Sequence, residues 1–189
     1  LNNDKLIIGS GSKRRELQFK SYFKNINCKN VRGNIDSRIS KVNKGEYDGV
    51  ILSLAGIQTL GLENEITKVF SEEKIIPSAG QGVIAVQCRK DDFENLNILE
   101  KINDENTKIC SLAERSLLKT IGGDCHTAVG AYAKIDKNNI IITSQLFSDD
   151  GLKSFYVKKT GDKKLPEELG ISAGEDLLIK SKGNYKKKR

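Results

Sequence analysis

The chain has 189 residues, with no methionine, no tryptophan, one histidine and only two prolines. No apolar run approaches the ~20 residues that a membrane-spanning helix needs. The opening residues, Leu1 to Asp4, lack the basic-then-apolar pattern of a secretory signal. An initiator methionine is also missing, so the expectation is a part of a longer, cytoplasmic protein with no membrane partner. The four cysteines, Cys28, Cys88, Cys110 and Cys125, form no CxxC pair. A tetrahedral metal site would have to gather nearly all of them together with His126, so no metal is expected and the cysteines read as separate reduced thiols.

Hydrophobic residues make up 37% and charged residues 30%, a balance that excludes a disordered chain and allows a sizeable core. The net charge is +7, but the last four residues are all basic, leaving +3 on the remainder. Charge alone therefore argues weakly for nucleic acid, and no nucleic-acid partner is expected.

The first third alternates strand and helix signals. Leu6-Ile7-Ile8 ends in Gly9-Ser10-Gly11-Ser12, followed by a helical stretch from about Lys13 to Phe23. A strand near Cys28 to Arg32, a helix from Ile35 to Lys44 and a buried strand at Val50-Ile51-Leu52 come next. Such repeats predict an α/β layer with a parallel sheet, whose ligands gather at the carboxyl ends of the strands. Val83 to Val86 reads as a further strand, and Asp91-Asp92 as the cap of a helix reaching about Ile102. A helix from about Thr107 to Ile121 precedes Gly122-Gly123. Three strands, Val129 to Ala133, Ile140 to Leu146 and Phe155 to Lys159, read as antiparallel hairpins. Pro166 reads as a break before a closing helix, Ser172 to Lys180.

Two places could carry chemistry. Gly9 to Ser12 leads from a strand into a helix whose first turn holds Lys13, Arg14 and Arg15. Three cations there oppose the helix dipole, which points to an anion site rather than a plain surface turn. Arg32 and Arg38, at the next strand-to-helix connection, add two more planar forks suited to carboxylate or phosphate. Cys125, in Gly122-Gly123-Asp124-Cys125-His126, reads either as a small buried residue in a turn or as a reactive thiolate. Asp124 would raise its pKa and His126 would lower it.

An ordered series of segments resembles porphobilinogen deaminase (hydroxymethylbilane synthase). It runs from Ile8 to Arg15, through Val31 to Arg38, Gly45 to Leu52 and Pro77 to Gly82, to Cys88-Arg89, Ala113-Glu114-Arg115 and Gly123 to His126. The resemblance implies a periplasmic-binding-protein-like parallel-sheet domain, then a smaller α+β domain with a three-stranded antiparallel sheet. It places residues 1–78 in the family's second domain and 79–102 in a strand and helix returning to an absent first domain. Residues 103–189 would form the cofactor-attachment domain.

It also implies a transferase of porphyrin and heme biosynthesis. Four porphobilinogen molecules are joined head to tail with release of ammonia, giving hydroxymethylbilane. The primer is a dipyrromethane cofactor in thioether linkage to Cys125. Ser12, Arg14, Arg15, Arg32, Arg38, Gln81 and Arg89 would bind the carboxylates of cofactor and growing pyrrole chain. The family's catalytic aspartate matches no residue here, so the chain alone is expected to be inactive, and the intact enzyme to be a monomer. Thr59 stands where the family usually has a basic residue, and Asp124 replaces a common glycine. The competing reading is a non-catalytic α/β module that binds an anion or nucleic acid. A thiol-dependent enzyme built on Cys125 and His126 is another.

Overall fold

The computed structural model describes residues 5–124 and 127–185. It divides into two compact units, Leu1–Ile76 and Pro77–Arg189.

In the first unit, β1 (Leu6–Gly9) lies between β2 (Ile26–Lys29) and β3 (Gly49–Val50), and both pairings are parallel. Ile8 aligns with Cys28 on one side and Gly49 on the other. Parallel strands need crossovers, supplied here by α1 (Lys13–Tyr22) and α2 (Ile35–Asn43). Because β3 is so short, the loop before it extends the pairing: Ile7 N–H donates to the Asp48 carboxylate at 2.6 Å, and Asp48 N–H donates to the Ile7 carbonyl. Ile8, Leu17, Val31 and Ile76 are its buried apolar side chains. A short α3 (Leu54–Thr59) and a 3-10 turn at Glu63–Glu65 follow, neither of them legible in the apolar periodicity.

The second unit holds α4 (Phe93–Ile102), α5 (Glu105–Thr120), α6 (Pro166–Ser181) and an antiparallel sheet in the order β4-β5-β6. The strands are β4 (Val129–Asp136), β5 (Asn139–Phe147) and β6 (Ser154–Asp162). Ile140, Ile142 and Leu146 alternate toward α5 and α6 and join Leu117, Ala173 and Leu177 in one apolar core. Among them, the Ser144 hydroxyl donates to the Gly130 carbonyl at 2.6 Å.

Two expectations need correcting. Val83 to Val86 pairs with no sheet among the described residues. A strand requires neighbouring backbone, and this segment only turns back on itself, Val83 N–H donating to the Gly80 carbonyl at 3.2 Å. Its Ile84 side chain is 93% exposed. The closing helix, in turn, begins at Pro166 rather than Ser172. Proline suits the first turn of a helix because its missing N–H would be unpaired there in any case. No helix among the described residues is long and apolar enough to cross a membrane.

Candidate functional site

The turn from β1 into α1 is braced by its own serines. Ser12 N–H donates to the Ser10 hydroxyl at 3.2 Å, and the Ser10 hydroxyl donates to the Ser12 carbonyl at 3.1 Å. Ser12 is the N-cap of α1, its hydroxyl accepting from Arg15 N–H at 3.4 Å. The cap fixes the helix start and thereby the direction in which the next arginines leave the backbone.

Those arginines part ways. Arg14 is buried, 7% exposed, and its guanidinium donates to the Ile76 carbonyl. Gln18, one turn on, clasps the same residue, donating to the Ile76 carbonyl at 2.9 Å and accepting from its N–H at 2.7 Å. Burial first, and Arg15 second, lower the Arg14 pKa to about 10, so it stays charged at neutral pH. Arg15 is half-buried, and its pKa is lowered by desolvation and then by Arg38.

Arg38 reaches the same turn from α2. Its Nε donates to the Gly33 carbonyl at 2.8 Å, and its Nη1 lies 3.4 Å from where a side-chain carbon on Gly11 would sit. Gly11 therefore leaves room for the guanidinium beside the backbone. Arg32 is exposed at the β2–α2 connection, and its carbonyl accepts from Lys41 Nζ at 3.3 Å.

The structure thus brings Ser12, Arg14, Arg15 and Arg38 to one turn, with Arg32 on the adjoining connection. Lys13 and Lys20 neighbour Glu16, at 3.8 and 2.7 Å. By contrast, Arg15, Arg32 and Arg38 have no carboxylate partner among the described residues. Like charges held together without a counterion carry a cost that a bound anion would remove. The donor set, two planar forks beside a helix N-terminus, fits a ligand carrying more than one carboxylate.

The remaining candidates lie in the second unit. Gln81 is exposed in the Pro77–Gly82 turn, and its Oε1 accepts from the Ser78 N–H and hydroxyl at 3.3 and 3.2 Å. The Arg89 side chain is exposed and lies 3.4 Å from the Asp92 carboxylate. Thr59 turns back onto its own helix, its hydroxyl donating to the Ala55 carbonyl at 2.8 Å.

Cys125 and His126 lie outside the described residues, but the residues on either side are bonded to each other. Asp124 Oδ1 accepts from Thr127 N–H and from the Thr127 hydroxyl, both at 3.0 Å. Upstream, α5 ends with Ile121 as C-cap, and Gly122 takes the left-handed conformation (φ 59°) that returns its N–H to the Lys119 carbonyl.

Sequence reasoning gave no role to Gln18 or to Glu114, although Glu114 stands in one of the matched segments. Each is a polar residue on the buried face of a helix, and that pattern was the available signal. Among the described residues, no group of histidine, cysteine and carboxylate side chains could hold a metal ion.

Residues 2–97 match the family model described as "Porphobilinogen deaminase, dipyromethane cofactor binding domain", and residues 108–179 match "Porphobilinogen deaminase, C-terminal domain". A porphobilinogen deaminase of Brevibacillus brevis is 37% identical over 94% of this chain and 57% of its own length. A probable porphobilinogen deaminase of Nitrosopumilus maritimus is 40% identical over 92% of this chain and 56% of its own. For the Staphylococcus carnosus porphobilinogen deaminase the figures are 36%, 95% and 58%. The chain spans a little over half the length of these curated relatives. Two family models that between them take in residues of both compact units, and relatives 36–40% identical over 92–95% of the chain, place this chain in the porphobilinogen deaminase family.

Proposed function

We propose that this chain supplies the carboxylate-binding cleft and the cofactor tether of an enzyme that joins porphobilinogen molecules head to tail, releasing one ammonia at each addition. The observation that carries the reading is the Arg15–Arg38 pair, close enough to perturb each other and without a carboxylate partner among the described residues. Each porphobilinogen brings an acetate and a propionate group, so a growing chain accumulates negative charge that fixed guanidinium groups would neutralise.

The dipyrromethane group, when bound, supplies a pyrrole carbon as the nucleophile that porphobilinogen extends. In this reading Cys125 holds it through a thioether, as a soft thiolate nucleophile would. Arg15, Arg38 and Arg32 orient carboxylates from the turns of the first unit. The family resemblance gives Gln81 and Arg89 the same task. Ser12 keeps the start of α1 in place, and Arg14 holds the helix to Ile76 while adding positive charge. Orientation is the main contribution asked of these groups, since fixing the reacting carbons in line removes much of the entropic barrier. None of the carboxylates in the described residues is assigned the proton-transfer role.

The division into residues 1–78, 79–102 and 103–189 is part of the same proposal. It is supported by the apolar side chains that residues 79–102 leave exposed, Ile84, Val86, Phe93 and Ile102 among them. Large apolar side chains exposed this densely along one stretch of chain are consistent with cover by further protein.

The test is calorimetric titration of porphobilinogen onto the protein and onto Arg15→Gln. A charge-assisted hydrogen bond contributes roughly 1.5–3 kcal/mol, so the substitution should weaken binding at least about tenfold. Equal affinity in the two proteins contradicts the reading, as does retention of DNA in place of porphobilinogen.

A further inference from the structure

Glu114, near the middle of α5, is a carboxylate buried to 6% exposure, and the cleft reading gives it no task. Its two oxygens are both occupied, on two different segments. Oε2 accepts from Gly80 N–H and Oε1 from Ala133 N–H, each at 2.7 Å.

The geometry around it is that of a sheet edge being closed. β4 is the outer strand of its sheet, so Ala131 and Ala133 have no strand on one side. Ala131 N–H donates instead to the Pro77 carbonyl at 2.8 Å, and Ala133 N–H to Glu114. The Pro77–Gly80 segment and the Glu114 side chain together stand where a fourth strand would run. Ala79 packs against the apolar core between these two anchors. Gln81 follows directly, and its bonds to Ser78 make the turn a self-braced piece that moves with Gly80.

The two N–H bonds to Glu114 are strongest while its carboxylate is ionised, because protonation turns one oxygen into a hydroxyl, a weaker acceptor whose proton must find a place beside an N–H donor. We propose that Glu114 is a positioning residue whose ionised carboxylate locks the Pro77–Gly82 turn to β4, so that taking up a proton from solvent releases the turn and shifts Gln81.

The surroundings give the proton room to act. Burial raises the pKa of Glu114, opposed by the two amide bonds, and no charged side chain among the described residues contributes. From α5 itself the neighbouring titratable group is Cys110, whose thiol is pushed up mainly by burial and then by Glu114. The turn from Pro77 to Gly82 carries no titratable side chain. On β4, Tyr132 and Lys134 alternate to the face opposite Ala133, and α6 meets α5 through Gly170 and Gly174.

Only the importance of Gln81 rests on the proposed function; the lock itself does not. Nuclear magnetic resonance of the 189-residue chain, with the Glu114 carboxyl carbon followed between about pH 4 and pH 8, tests it without any variant. The account requires the amides of Gly80 and Ala133 and the side-chain amide of Gln81 to shift with the same midpoint as that carbon. In Glu114→Gln these shifts should vanish, and the Gly80 amide should exchange about tenfold faster than in the parent, with Ile142 at the sheet centre unchanged. Amides that stay flat while the carboxyl titrates overturn the lock. Equal acceleration at Gly80 and Ile142 overturns it too, since that marks general loosening. Unchanged porphobilinogen affinity in Arg15→Gln strikes the proposed function instead and leaves this titration intact.

Discussion

Arg14 and Arg15 are adjacent in sequence and similar in charge, yet their substitutions should differ in kind. Arg14→Leu removes a buried donor from the Ile76 carbonyl and leaves Gln18 to hold it alone. Urea unfolding should show a loss of about 1–3 kcal/mol. Arg15→Gln breaks no hydrogen bond of its guanidinium among the described residues and relieves repulsion from Arg38, so its stability should be equal or higher. An Arg15 variant that unfolds as readily as the Arg14 variant would mean that the cluster braces the fold rather than awaiting an anion. Sequence reasoning put these arginines at one turn, where the strand, glycine-rich turn and helix signals coincide, and both lie in the first turn of α1. It did not separate the buried one from the half-buried one, since that depends on Ile76, more than sixty positions away in the chain.

Glu114 adds a pH dependence of definite sign. Its folded pKa lies above the ordinary carboxylate value, so the folded state takes a proton before the unfolded chain does. This group therefore favours folding most below the ordinary value, and that contribution falls as pH rises through the folded pKa. Stability measured in urea from acid to neutral pH should lose this component in Glu114→Gln, giving a less negative slope in that window. An identical slope in both proteins would show that burial does not act on Glu114 as described. Release of Gly80 on the acid side requires Glu114 to stay buried once the turn lets go, since only there does losing the two amide bonds raise its pKa further.

At the scale of elements, α5 and α6 approach closely because glycine permits it. A side-chain carbon at Gly170 would lie 2.1 Å from the Ala113 carbonyl oxygen, a backbone atom that cannot swing aside. Gly170→Ala should cost about 1–3 kcal/mol despite alanine's better helix propensity, and a thermal melt lowered by several degrees would register it. A variant as stable as the parent would mean that the two helices slide apart freely. The sequence showed both helices through their apolar spacing, yet it put the start of α6 more than a turn late. Proline was read as a breaker, whereas its fixed φ suits an N-terminal turn. Val83 to Val86 shows the opposite limit. Its apolar run is a sound strand signal, but pairing is a property of two segments, and among the described residues no second one meets it.

On the scale of the whole molecule, the parallel layer, the antiparallel sheet and their order along the chain were legible because connection length separates the two sheet types. Helical crossovers sit between the first strands, and short turns between the last three. The candidate site residues stood out as an ordered set rather than singly, since each arginine alone reads as an ordinary surface residue. What stayed hidden was the polar accounting inside each unit: Gln18 standing in for a strand at Ile76, and Glu114 doing so at Gly80 and Ala133. Those roles follow from which backbone groups are left over once the fold closes.

The account's central claim is that this chain carries a pyrrole ligand covalently while its arginines hold the ligand's acid groups. Intact-protein mass spectrometry of the protein as purified, on the parent and on Cys125→Ser, addresses that claim most directly. The account predicts a mass increase of two pyrrole units on the parent, mapped to the peptide containing Cys125 and missing from the serine variant. An adduct that persists in Cys125→Ser, or a parent that stays at its bare mass, would contradict it.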